Sequence, residues 1–322
     1  MSIADNLDAA AAALVAENVQ LQALVSQFEA TIPAEALIAD VLAGTAANLF
    51  LSPRIARETF MPMIQATNWY VDGANGDDSH SGLSMATAFK TAQAAIDYVS
   101  SFVCPGTVRI HLNGAVGPMR IETPSIANLE LAGSGVDLCT VNALSLSANG
   151  GRGITVSGSS TRVVIHGFSI NSYYECVAAQ AGAVVSGWNA TVRMATSGYS
   201  AIAAYSGAKI TLTGDIKYSA ASASTGVLLT SAGGGLIECG YNDGVTVSNV
   251  VFTAIGAPVV ASFASASKGG QVQFLPAQCS FAGAVTGQRY FVGSGGVIDT
   301  SGSGAAYLPG TLSGVNSNGY YI

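Results

Sequence analysis

From Val108 to Phe281 the chain is a succession of short β-like runs with no credible long helix between them. VRIHL at 108–112, LELAG at 129–133, VVIHGFSI at 163–170 and AKITLTG at 208–214 begin the series. GVLLTS at 226–231, GLIECG at 235–240, VTVSNVVF at 245–252 and QVQFL at 271–275 continue it. Gly, Ser, Asn and Asp separate the runs. Strands of about five residues broken by turn residues mean an all-β body. A sandwich or closed barrel favours strict inside-outside alternation and hairpin dipeptides such as Asn-Gly. A parallel β-helix instead stacks coils of about 20 or more residues. Comparable runs recur at Val164, Val184, Ile210 and Ile237, and this beat favours the β-helix. Phrases such as SAIAAYSGAKITLTG and GVLLTSAGGGLIECG share a small-apolar pair, a Gly turn and an alternating strand. The 38 glycines suit tight corners around a narrow interior.

Composition narrows the function classes. Charged residues are 10% of the 322 positions, the formal net charge is −7 and the mean hydropathy is +0.43. A general nucleic-acid binder needs a basic stripe, which this acidic chain lacks. Disorder needs low hydrophobicity and high net charge. The longest apolar run, Ala9 to Ala16, is far short of the roughly 18 to 20 residues of a spanning helix. The acidic start MSIADNLD does not read as a signal peptide. The apolar surplus is therefore expected inside a long, thin fold or at a subunit interface.

Five regions are expected. Residues 1–32 read as a coiled-coil helix. Leu7, Leu14, Leu21 and Phe28 fall at d, and Ala4, Ala11, Asn18, Val25 and Ile32 at a. The polar a-position Asn18 is a device that fixes register, and Pro33 ends the pattern. Residues 33–67 form a connector with Pro53, Pro62 and the cations Arg54 and Arg57, the candidate docking residues. Residues 68–103 hold an opening strand, Trp69 to Asp72, a turn, and an amphipathic capping helix. Phe89, Ala92, Ile96 and Val99 form its apolar face. Residues 104–284 are the β-helix body and 285–322 a C-terminal cap.

The opening segment WYVDGANGDDSHSGLSMATAFKTAQAAIDYV resembles the start of many tailed-bacteriophage tail fibres and tailspikes. The stretch GQRYFVGSGGVIDTSGSGAAYLPGTLSGVNSNGYYI is similar to the end segment of many phage fibre proteins. Together these cover about 70 residues, and the middle is similar in texture only. The resemblance implies a homotrimeric virion protein with a right-handed parallel β-helix. Its N-terminal region would attach to phage tail or baseplate proteins, and its body would bind a host-surface glycan or protein. The four-heptad helix fits such a trimer. A purely structural baseplate or head-fibre component, and a monomeric cellular β-helix protein of the carbohydrate-active kind, are two rivals.

A tailspike depolymerase is the enzymatic rival, because some tailspikes cleave surface polysaccharide. Glycoside hydrolysis needs two carboxyls about 5 to 9.5 Å apart. Asp215 and Glu238, 23 residues apart, are candidates for adjacent coils, with Glu175 two coils away. The competing expectation is that these are turn residues or isolated charges. Trp188, Tyr199 and Tyr205 are candidate glycan contacts. Cys104, Cys139, Cys176, Cys239 and Cys279 show no paired spacing, and His80, His111 and His166 are scattered, so no metal site or cofactor is expected. Asp72, Asp77 and Asp78 lack EF-hand spacing and read as a turn. No GxSxG elbow, P-loop or dinucleotide fingerprint occurs in a strand-to-helix context.

Overall fold

The computed structural model describes residues 68–122, 126–143, 149–187, 190–194, 199–220, 226–242 and 245–322. The heptad positions Leu7, Leu14, Asn18, Leu21, Val25, Phe28 and Ile32, and the cations Arg54 and Arg57, lie outside them. The described part belongs to one compact unit, Pro62–Ile322.

The body is a parallel β-solenoid. Its strands form three sheets visited in the same order on each circuit. The first coil uses Cys104–Val116, which turns a corner and contributes to both the first and the second sheet, then Met119–Ile121 in the third. A later coil runs through Lys209–Leu212, Gly214–Ala220 and Val227–Ala232. Seven such circuits are complete among the described residues, the last being Gln271–Phe274, Cys279–Ala282 and Thr286–Gly293. Every described strand pair in the three sheets is parallel. The one antiparallel pair among the described residues is a small hairpin, Tyr241–Asn242 with Val247–Ser248, inserted between the first and second sheets of one coil. The ladders run on past residue 284 through Thr286–Gly293 and Val297–Asp299, so the C-terminal segment is partly further coil.

Inward side chains stack rung on rung. Val108, Leu129, Val163, Val185, Ile210, Ile237, Val272 and Ile298 occupy one continuous column of the first sheet, all at most 1% exposed. Val116, Val141, Ile170, Val192 and Tyr218 form a second column. Ile154, Val177, Ile202 and Leu229 form a third. Apolar burial of this kind is the main stabilising term, at about 25 cal/mol per Å² removed from water. The later coils exchange aliphatics for rings: Phe252, Phe263, Phe274 and Phe281 meet at centroid distances of 5.4 to 6.4 Å. The beat expected from Val164 and Val184 is corrected by the register. Val164 pairs with Ser186 and faces away from the column, which Val163 and Val185 fill. A one-residue slip exchanges the two faces of a strand.

The corners between the third and first sheets repeat a single turn. At Ala181-Gly182, Ser206-Gly207, Gly233-Gly234, Lys268-Gly269 and Ser294-Gly295 both residues have positive φ, about 50° to 60° and then 72° to 78°. Each turn closes with a backbone bond across four residues, as from Ala208 N–H to the Tyr205 carbonyl at 3.1 Å and from Gly270 N–H to Ser267 at 2.8 Å. Two consecutive positive φ values define the type I′ class and explain the glycine at the second place.

The N-terminal end of the solenoid is covered by α1, Ala92–Ser100, which packs on Asn68–Asp72, Cys104–Val116 and Met119–Ile121. Its buried side is Ala92, Ala95, Ile96 and Val99, with Phe89 buried just ahead of it. The helix starts later than the apolar face expected from Phe89 onward. Met85–Thr87 is a separate 3-10 turn, and Phe89 forms a β-bridge with Val71. The Thr91 hydroxyl accepts from Ala94 N–H, a Thr cap. Asp78 accepts from the N–H groups of Lys90 and Thr91. Asp72 and Asp77 likewise accept from nearby turn N–H groups, which accounts for all three aspartates as turn residues. At the other end Tyr307 packs edge-on against Phe274 and Phe281, and Leu308 is fully buried.

Candidate functional site

A cluster of aromatic and charged side chains, part of it exposed, lies where the second sheet turns into the third. Gly151, Tyr174, Tyr199 and Gly226 occupy successive rungs there. Tyr174 N–H donates to the Gly151 carbonyl at 2.8 Å, Tyr199 N–H to Tyr174 at 3.3 Å, and Val227 N–H to Tyr199 at 3.1 Å. Because the rungs are in register, the two tyrosine rings stack, with centroids 4.8 Å apart and planes 16° apart. Tyr199 is 61% exposed. The Arg152 guanidinium sits 5.4 Å from the Tyr174 centroid, within cation–π range.

Glu175 is the buried anchor of this group. Arg152 Nε donates to its carboxylate at 2.7 Å, and the Tyr205 hydroxyl donates to its other oxygen at 3.2 Å. Burial pushes the Glu175 carboxyl above the usual carboxylate range, although Arg152 and Tyr205 pull the other way. Burial also raises the Tyr205 phenol, helped by the adjacent Glu175 charge. With both oxygens engaged and 1% of the residue exposed, Glu175 holds Arg152 and Tyr205 in place; it does not face solvent as an acid or base.

The three candidate catalytic carboxylates are not brought together. Glu175 is in the third sheet, Asp215 in the second and Glu238 in the first. Asp215 pairs with Val251, whereas Glu238 pairs with Thr211 in the coil before it. The 23-residue separation does not place Asp215 and Glu238 on one ladder, because a corner lies between their positions in the circuit. Glu238 accepts from Lys209 at 2.9 Å and from the Thr211 hydroxyl at 3.2 Å. Of the glycan candidates, Tyr199 and Tyr205 fall in the site, and Trp188 lies outside the described residues. Arg152, which the sequence reading did not single out, is a site residue. Its 23-residue separation from Glu175 is no signal in itself, because Asp215 and Glu238 share that separation without standing opposite.

Two other clusters are structural in form. On the outer side of the first sheet Glu130 accepts from Arg109 at 2.8 Å and bonds the His166 ring at 2.7 Å. Beside α1 a polar depression of about 250 Å³ is lined by Gln93, Asp97, Ser100, Arg120 and Glu122. There Gln93 bonds both the N–H and the carbonyl of Arg120. No group of three or more His, Cys, Asp or Glu side chains that would hold a metal occurs among the described residues. All five cysteines are free and buried, and burial pushes the Cys139 and Cys279 thiols up to about 12. They behave as small core hydrophobes.

The fold thus defines a parallel β-solenoid protein with an exposed aromatic stack at one corner. No family model, curated protein or solved structure matches the chain.

Proposed function

We propose that this protein is a homotrimeric tail fibre or short tailspike of a tailed bacteriophage. It attaches to the tail through its N-terminal region and binds a host-surface receptor, a glycan foremost. The observation that carries the reading is the helix-capped parallel solenoid whose cap coincides with the segment resembling phage fibre proteins. Such a body is stiff, buries its backbone hydrogen bonds along its length, and suits a part exposed outside cells. The right-handed winding expected of it follows the general handedness of parallel crossovers. The rival reading as a depolymerase draws no support from three candidate carboxylates on three different sheets.

Light scattering on the size-exclusion peak tests the trimer. Three chains of 32.4 kDa give about 97 kDa. A mass near that value supports the fibre reading, and a mass of one chain at micromolar concentration overturns it. The receptor half is tested by binding of the labelled protein to host cells, before and after removal of surface polysaccharide.

A further inference from the structure

We propose that the outward face of the Tyr199 ring is a stacking subsite for a neutral pyranose, bordered by the exposed Ala261. The proposal rests on the glycan-binding reading and names where and what kind of sugar binds.

The argument begins with the rung order. One rung step along the solenoid is about 4.8 Å. Tyr174 covers one face of the Tyr199 ring at that spacing. The other face looks to the next rungs, which carry Gly226 and then Ala261, linked by the bond from Ala261 N–H to the Gly226 carbonyl at 2.8 Å. Neither residue has a side chain longer than a methyl; Gly226 is buried, Ala261 is exposed, and Tyr199 itself is 61% exposed although Tyr174 covers one of its faces. The aromatic ladder therefore stops at a ring with protein on one face and the exposed Ala261 bordering the other. A ligand ring placed there continues the stack.

The chemistry selects the ligand. A tyrosine face is the negative side of a quadrupole and attracts the weakly positive C–H edge of a flat ring. A β-hexopyranose presents such a face through its axial hydrogens, and its rim of hydroxyls meets the polar surroundings. Charge selects further. Arg152 is matched by Glu175 at 2.7 Å, so the pair adds no net charge, and the chain as a whole carries −7. A densely anionic glycan gains nothing here.

Saturation-transfer NMR on the full chain tests this, with methyl β-glucoside, N-acetylglucosamine and, as the acidic probe, N-acetylneuraminic acid, at about 50 and about 500 mM salt. The expected result is transfer to the axial ring protons of a neutral sugar, unchanged by salt. Tyr199→Ala weakens binding about tenfold, Tyr199→Trp retains it, and Ala261→Phe, which crowds the border, weakens it as Tyr199→Ala does. Wild-type affinity in both Tyr199→Ala and Ala261→Phe overturns the subsite while leaving glycan binding standing. Preference for the acidic sugar with steep loss in salt overturns the neutral class. No binding of any probe, together with no binding to host polysaccharide, overturns the subsite and the glycan reading alike.

Discussion

Arg152 and Glu175 stand opposite each other on adjacent coils, two residues ahead of the Ile154–Val177 pair on both strands, and are joined at 2.7 Å. The carboxylate is buried and the guanidinium is partly exposed, so the two members are not equivalent. Removing the cation leaves a buried charge with only the Tyr205 hydroxyl to compensate it. Arg152→Ala is expected to cost about 3 kcal/mol, the low end for breaking a buried pair. Glu175→Gln, which keeps one acceptor oxygen for Arg152 and turns its amide N–H towards the Tyr205 hydroxyl oxygen, leaves no buried charge and costs less. Urea denaturation of the two variants at neutral pH measures the difference, and equal stabilities would show that the pair is not the anchor described.

The same residue sets a pH dependence. The folded-state pKa of Glu175 is raised, by burial above all, so the native state holds its proton at a pH where the unfolded chain has lost it. Its contribution to stability is present in full below the ordinary carboxylate range and is lost as pH rises through the folded value. Glu130 runs the other way. Burial raises its carboxyl, but bonds from Arg109 and His166 outweigh that and leave it lowered, so its contribution is lost as pH falls. Thermal melts from acid to neutral pH should show Glu175→Gln lacking one decline with rising pH that the wild type has. Parallel profiles for the two proteins would contradict this.

Neighbouring valines test the register of the solenoid. Val163 is 1% exposed in the inner column, and Val164 points to the other side of the same strand. Val163→Ala removes two buried methyl groups and is expected to cost about 2 kcal/mol. Val164→Ala is expected to cost about 0.5 kcal/mol. Chemical denaturation that ranks them in the opposite order would mean that the strand is shifted by one residue.

The repeated corner separates two reasons for glycine. Gly207 has φ of 75° and open space where a Cβ would stand. Gly207→Ala therefore bears only the left-handed backbone penalty, about 1 kcal/mol. Gly270 has ordinary φ, but a Cβ there would come within 2.4 Å of the Ser231 carbonyl oxygen. Gly270→Ala must move a backbone and is expected to be the more damaging. Lys268, at φ of 50°, is the converse case: Lys268→Asn places a residue tolerant of that region and should stabilise by a few tenths of a kcal/mol. Midpoints in urea for the three variants, at unchanged slope, give the ranking directly.

Two residue pairs show how far the sequence could be read. Arg152 with Glu175, and Asp215 with Glu238, are each 23 residues apart, yet only the first pair stands opposite. Separation alone does not set register, because the coils differ in length. Val163, Val185, Ile210 and Ile237 are 22, 25 and 27 residues apart, and the hairpin at 241–248 lengthens the next step, to Val272, to 35. The all-β class and the Phe89–Val99 apolar face were legible because each is a local pattern; the solenoid beat was legible in part, since Ile210 and Ile237 lie in the inner column but Val164 and Val184 do not. The Gly turn was legible as a recurring phrase, and its two positive φ values are the physical reason for that recurrence. The tyrosine stack was not legible, since it needs the phase of a corner that no single stretch encodes.

Deleting residues 1–67 separates the body from the region proposed to hold the trimer and the tail. The described strands and α1 all begin at or after Asn68, and they lie in the compact unit that starts at Pro62. Their inner columns are completed by residues after 67, so the truncated chain is expected to keep its β circular-dichroism spectrum and a cooperative melt. If the heptads at 1–32 drive self-association, its mass falls from about 97 kDa to that of a single truncated chain. Its incorporation into particles is lost, while binding to a neutral sugar through Tyr199 persists. A truncated chain that still runs as a trimer would move the self-association from the helix to the solenoid. One that still enters particles would remove Arg54 and Arg57 from the docking proposal.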